Sequence, residues 1–258
     1  MSRLVVVTGA ASGIGAAVAA MLRARGDRVL GVDLKDAEVC ADLSTAEGRA
    51  SAVEAVLEQS GGVVNGLVTC AGVSVPSPVL PRVNYFGTTS FAAGLRLALA
   101  ASTAPRVVLI GSISATQPVD EDLVAALLAD DESLAVSLAE QAIADGRPQQ
   151  LYPSSKSAIT QWARRTCVSP HWADAGIAVN VVAPGVVLTP MSAALLEDPA
   201  MKQVMDAAVP MPLHGYALPE DLARVVCLFL SPDLTHVTGQ VLYVDGGAEA
   251  TLRPASHF

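Results

Sequence analysis

Clustered positive charge is what this chain most conspicuously lacks. Its 258 residues hold 16 Lys and Arg against 25 Asp and Glu, a net charge of −9, and no basic stripe that would release counterions from a phosphate backbone. Nucleic acid is therefore not expected as a partner. The four cysteines, Cys40, Cys70, Cys167 and Cys227, show no CxxC or Cys/His spacing, and His171, His214, His236 and His257 show no ligand spacing. Reduced thiols and no bound metal are expected. No run of 18 apolar residues occurs, and the opening MSRLVVVTGA has no signal-peptide pattern. The expectation is a soluble, cytoplasmic protein without a membrane partner. A Pro/Gly/Ser-rich linker is missing too, so residues 1–258 read as a single domain.

Hydrophobic residues make up 52% of the chain, charged residues only 16% and aromatic residues 4%. Such a composition suits a deeply buried architecture. Short apolar runs, RLVVVT, DRVLGVD, NGLVTC, PRVVLIG, IAVNVVA and QVLYVD, alternate with segments of helical spacing at 14–25, 45–59, 84–101, 154–169 and 219–230. Strands apolar on both faces belong in a parallel sheet covered on each side. The fold class predicted is α/β: a doubly wound, Rossmann-type parallel sheet with helices on both faces. About 35 residues between PRVVLIGS and LYPSSK break the rhythm, and read as two acidic amphipathic helices inserted at about 116–150.

After the first apolar run comes TGAASGIG, with Gly9, Gly13 and Gly15. Glycines there let the backbone turn and approach a pyrophosphate, while the next helix offers free N–H groups and a positive dipole end. Asp33 ends the second run and completes the nucleotide unit. Its carboxylate can accept both hydroxyls of an adenosine ribose and repels a 2′-phosphate, which favours NAD over NADP. Lys35 is close enough in sequence to soften that choice.

LYPSSK places Tyr152 and Lys156 four residues apart, on one face of a helix. A phenol is a poor acid or base at neutral pH, and an ammonium beneath the ring lowers its pKa. YxxxK alone is common by chance. A solvated pair at an ordinary helix start would look the same.

Taken in order, TGAASGIG, CAG at 70–72, Asn84, Ser112, YPSSK and APG at 183–185 resemble the short-chain dehydrogenase/reductase family over essentially the whole chain. The resemblance implies hydride exchange between a nicotinamide and an alcohol or carbonyl. It implies a catalytic tetrad of Asn84, Ser112, Tyr152 and Lys156. Tyr152 would be the acid/base, Ser112 would hold the substrate oxygen with Ser114 as second candidate, Lys156 would bind the nicotinamide ribose and stabilise the phenolate, and Asn84 would anchor a water. The cofactor contacts implied are Gly9, Ser12, Gly13, Ile14, Gly15, Asp33, Asp42, Leu43, Ala71, Gly72, Tyr152, Lys156, Val187 and Thr189. Two features depart from the family: Cys70 stands where Asn is usual, and Ser112 lies unusually far ahead of the tyrosine, which the insertion explains.

Residues 190–216, rich in Met and Leu, fall where the family has a mobile substrate lid, and no Arg or Lys pair marks a carboxylate or phosphate substrate. A hydrophobic substrate is expected, a steroid or an aromatic alcohol or carbonyl. The insertion, VDLKDAEVCADLSTAEGR, VNYFG and the terminal RP dipeptide resemble the bacterial 3α-hydroxysteroid dehydrogenase/carbonyl reductase subgroup. Coniferyl-type alcohol dehydrogenases are the alternative, and a catalytically silent NAD-binding regulator is the alternative of another class. A homodimer is expected, with a tetramer still open, because the acidic insertion would crowd the helix face that many family members pair.

Overall fold

The computed structural model describes residues 2–253 and 255–257; Pro254 of the RP dipeptide and the side chain of His257 lie outside the described residues. Seven parallel strands run β1 (Leu4–Thr8), β2 (Arg28–Asp33), β3 (Val39–Cys40), β4 (Gly66–Thr69), β5 (Arg106–Ile110), β6 (Ala178–Pro184) and β7 (Val241–Val244). Their order across the sheet is β3-β2-β1-β4-β5-β6-β7. Chain direction reverses its march beside β1 and β4. That switch point opens the crevice at the carboxyl ends of the strands in which doubly wound sheets bind ligands.

Two hydrophobic layers cover the sheet because successive side chains face opposite ways. Leu4 and Val6 of β1 join one core, with helices Ala46–Ser60 and Leu151–Thr166; Val5 and Val7 join the other, with Gly13–Ala24 and Pro219–Phe229. The central strands β1, β4 and β5 have no exposed residue, which is why their sequences do not alternate with polar positions.

The doubly wound sheet and the helical insertion follow the sequence expectation, and some details do not. Strand β3 was not foreseen; two residues paired with Val32 and Asp33 are too short to show a pattern. The segment 84–101 is not one helix. A π turn spans Arg82–Phe86, helix Gly87–Gly94 follows, and Arg96–Ala100 is separate. The tyrosine helix begins at Leu151, so Tyr152 and Pro153 stand in its first turn.

The insertion forms helices Glu121–Leu128 and Glu132–Ala144, each N-capped by an aspartate: Asp120 accepts from Leu123 N and Asp131 from Leu134 N. The first packs along the tyrosine helix; the second packs on the short helix Val79–Pro81 and the π turn. Its acidic character is partly neutralised within the fold, by Arg147–Asp120 at 2.6 Å and Arg49–Glu132 at 2.5 Å. No described helix is long and apolar enough to cross a membrane.

Candidate active site

At the end of β1 the glycines make a turn that other residues cannot. Gly9 and Gly13 adopt φ of +67° and +52°, and a Cβ on Gly15 would sit 2.1 Å from the Gly9 carbonyl oxygen. The loop is thus folded against its own helix. Ser12, exposed and extended, begins that helix without a side-chain cap, leaving first-turn N–H groups for an anion. Ile14 lines the same wall.

Asp33 is fixed at the tip of β2: one carboxylate oxygen accepts from Ala11 N at 3.0 Å, the other from Leu34 N at 2.7 Å. Lys35 is exposed. Beyond it, the Asp42 carboxylate accepts from Ser44, whose hydrogen bonding holds the acid below its ordinary pKa, and Leu43 is buried. Ala71 N donates to Thr8 Oγ1, and a Cβ on Gly72 would approach Asn84 Oδ1 to 3.2 Å. Val187 is buried, and Thr189 caps helix Pro190–Glu197 through a reciprocal bond with Ser192. Its methyl would meet a Cβ on Gly13 at 3.2 Å, so the start of this helix rests on the glycine loop.

The glycine loop, Asp33, Asp42, Leu43, Ala71, Gly72, Val187 and Thr189 line one cavity of about 630 Å³ together with Ser112, Tyr152 and Lys156, so every expected site residue except Asn84 faces a shared space. Asn84 lies fully buried behind it. Both ends of its amide are engaged: Oδ1 accepts from Val73 N at 2.8 Å, while Nδ2 donates to Val73 O at 3.0 Å and Ser155 Oγ at 3.2 Å. Ser155 in turn donates to the Tyr152 carbonyl, so Asn84 braces the first turn of the tyrosine helix.

Tyr152 and Ser112, 40 residues apart in the chain, line the same cleft, and the insertion between them packs on the tyrosine helix and the Val79–Pro81 helix. Ser112 also accepts from Ser114 N at 3.1 Å, whereas the buried Ser114 hydroxyl has no partner. Both serines line the cleft, and it is Ser112 whose hydroxyl acts on the phenol. Lys156 Nζ lies 5.6 Å from the Tyr152 ring centre and donates to Ile110 O at 2.9 Å.

The expected lowering of the Tyr152 pKa is corrected by the structure. Burial raises the phenol above its ordinary value, and the Ser112 hydrogen bond is the opposing influence. Burial also lowers Lys156 to about 8, partly offset by the neighbouring Cys70, whose own thiol burial pushes up to about 12. The thiol is thus neutral at physiological pH and packs as a small apolar group.

Cleft residues that sequence reasoning missed include Gln117 and Gln149, at the two ends of the insertion, and Val73, which holds Asn84. No pattern marks the glutamines. Val73 directly follows CAG, which was the available signal. On the opposite side the cavity is walled by Met191, Leu195, Met205 and Val209.

A glycine loop tied to Asp33 at the tip of β2 and a Ser–Tyr–Lys group sharing one cleft define a class: the chain belongs to the short-chain dehydrogenase/reductase family. The family model that matches, described as enoyl-(acyl carrier protein) reductase, covers residues 9–249. Over 256 residues the chain is 38% identical to the 3-alpha-hydroxysteroid dehydrogenase/carbonyl reductase of Comamonas testosteroni, covering 97% of this chain and 98% of that protein. A more distant relative, the 2-(R)-hydroxypropyl-CoM dehydrogenase of Xanthobacter autotrophicus, is 28% identical, with 97% and 100% covered. Among solved structures, the 3-alpha-hydroxysteroid dehydrogenase from Pseudomonas sp. B-0831 complexed with NADH superposes with a TM-score of 0.91, at 42% identity and with 97% and 98% covered.

Proposed function

We propose that this protein is an NAD-dependent oxidoreductase that interconverts a secondary alcohol and a ketone on a hydrophobic substrate, of the 3α-hydroxysteroid dehydrogenase/carbonyl reductase type. The observation that carries the reading is the gathering of Ser112, Tyr152 and Lys156, with Lys156 Nζ 5.6 Å from the Tyr152 ring centre, in the cleft that the glycine loop also lines. Full-length likeness to two hydroxysteroid dehydrogenases supports the substrate class.

The fit of the cofactor rests on this chain's own geometry. A Cβ on Gly9 or Gly15 would strike backbone, Gly13 holds a positive φ, and the uncapped helix start is suited to a pyrophosphate. Asp33, with both oxygens oriented by backbone N–H groups, favours a free ribose diol and hence NAD over NADP. When bound, the nicotinamide supplies hydride transfer.

The residues supply the rest. In the reducing direction Tyr152 gives its phenol proton to the substrate oxygen while Ser112 holds that oxygen by a hydrogen bond. Lys156, cationic below about pH 8, stabilises the phenolate left behind. Asn84 keeps the tyrosine helix in register through Ser155 and Val73. Residues 190–216 act as the lid, where Met191, Leu195 and Met205 present an adaptable apolar surface.

Neither the aromatic-alcohol alternative nor the silent regulator gains support from the relatives. The experiment is NADH formation by purified protein offered 3α-hydroxysteroids, aromatic alcohols and simple secondary alcohols, with Tyr152→Phe alongside. Preferred turnover of the hydroxysteroids, reduced by about a thousandfold in the variant, is expected. Turnover of none would sink the proposal.

The assembly that goes with this reading is a homodimer. Insertion helix Glu121–Leu128 lies along the tyrosine helix and occupies the face that a two-helix tetramer interface would need. Leu228 and Leu242, exposed on helix Pro219–Phe229 and β7, offer an apolar surface for a two-fold contact instead. A tetramer in light scattering would contradict this.

A further inference from the structure

We propose that the insertion contributes a positioning residue to cofactor binding: Glu132, acting through Arg49 on the wall that borders the adenine. This rests on the reading that Asp42 and Leu43 form that wall.

Arg49 is only 6% exposed, in the first turns of helix Ala46–Ser60. A guanidinium so buried must be paired, since an isolated buried charge is costly. Its partners come from three separate parts of the chain. One terminal nitrogen donates to the Leu43 carbonyl at 3.2 Å, the other to Glu132 Oε2 at 2.5 Å, and the group lies over the Phe86 ring at 5.9 Å. Glu132 is 83 residues from Arg49.

Glu132 is well placed to act as the fixed end of this link. It follows the Asp131 cap as the first residue of its helix, where the macrodipole favours a carboxylate. Arg82, at 3.9 Å and 43% exposed, adds little. At the other end, the polar ties of the 42–45 segment are short-range: Ser44 N to the Asp42 carboxylate, Thr45 N to the Asp42 carbonyl, and the Thr45 cap on Gly48. Leu43 packs in the core, and Arg49 adds the segment's long-range polar tie to the rest of the molecule. Removing the Glu132 charge leaves Arg49 buried and half-paired, so it turns toward water and releases the Leu43 carbonyl. The chemistry at Tyr152 and Lys156, at the other end of the cleft, stays as it was.

The test compares two ligands that differ in the adenosine half. NADH dissociation constants are measured by fluorescence titration, and kcat/KM is measured with reduced nicotinamide mononucleotide, which lacks adenosine. In Glu132→Gln the NADH dissociation constant should rise about fivefold. The mononucleotide kcat/KM and the single-turnover hydride-transfer rate at saturating NADH should not change, and Glu132→Asp, which keeps the charge, should recover most of the affinity. NADH affinity within twofold of wild type would overturn the proposal. So would an equal loss toward the mononucleotide, the mark of general damage. Leu43→Ala separates the two layers: if it loses NADH affinity while Glu132→Gln keeps it, the link alone fails; if neither loses affinity, the adenine assignment fails with it.

Discussion

At the glycine end of the cleft the chain meets itself at backbone distance, whereas at the lid end it scarcely meets itself at all. A Cβ on Gly9 would stand 2.8 Å from Ala71 N and one on Gly15 2.1 Å from the Gly9 carbonyl. Helix Pro199–Ala208, in the proposed lid, buries none of its residues, and Met201 and Val204 remain 42% and 61% exposed. The contrast follows from the ligands each end is proposed to meet. A pyrophosphate is small, rigid and charged, so it rewards fixed N–H groups at close range. A hydrophobic substrate offers area without direction, so mobile thioethers serve it as well as an exact fit.

The sharpest way to break this comparison is to add one methyl group at each kind of glycine. Gly15→Ala forces backbone against backbone, and neither partner can yield as a flexible side chain would. It should lose about 3 kcal/mol of stability and NADH binding with it. Gly26→Ala, at φ +88° but in open space, should cost about 1 kcal/mol and leave binding intact. Thermal denaturation and NADH titration read both. A Gly15→Ala protein with native NADH affinity would mean that the tight loop is not what makes the phosphate site.

A smaller effect is expected from the carboxylate that ends β2. Asp33→Ala removes the proposed ribose acceptor and its negative charge together, so the ratio of kcat/KM for NAD to that for NADP should fall roughly tenfold. An unchanged ratio would shift the burden of discrimination to Lys35 or another neighbour.

How far the sequence foretold these two ends depends on how local each is. The glycine loop and Asp33 were legible because their chemistry is written in contiguous residues flanked by a strand and a helix. Ser112 and Tyr152 are 40 residues apart, and only the family resemblance paired them; nothing in the spacing itself does so. The insertion's helices were readable from their apolar periodicity, but the contact between Arg49 and Glu132 has no periodic trace. Leu95 reads as helical and yet ends helix Gly87–Gly94, and the π turn around Asn84 has the same composition as an ordinary helical turn. The Tyr152 pKa went the other way from the expectation because burial, which a sequence does not display, outweighs the opposing influence of Ser112.

The least effect should come from the lid. Met205 lines the cleft and packs beside Ile113, Val186 and Val209, and helix Pro199–Ala208 touches solvent along its other side. Met205→Leu keeps nearly the same volume while removing one rotatable bond and the polarisable sulfur. In a closely fitted pocket such a change moves neighbouring side chains off their rotamers. In an adaptable one, the surrounding Met191, Leu195 and Met211 absorb it. We therefore expect kcat/KM for a bulky hydrophobic ketone to change by less than about threefold, with NADH affinity unaffected because the glycine loop lies at the other end of the cleft. Steady-state kinetics on Met205→Leu decide the matter. A fall of more than about tenfold would show that the lid recognises its substrate by exact shape, and the division between a rigid cofactor end and a forgiving substrate end would have to be given up.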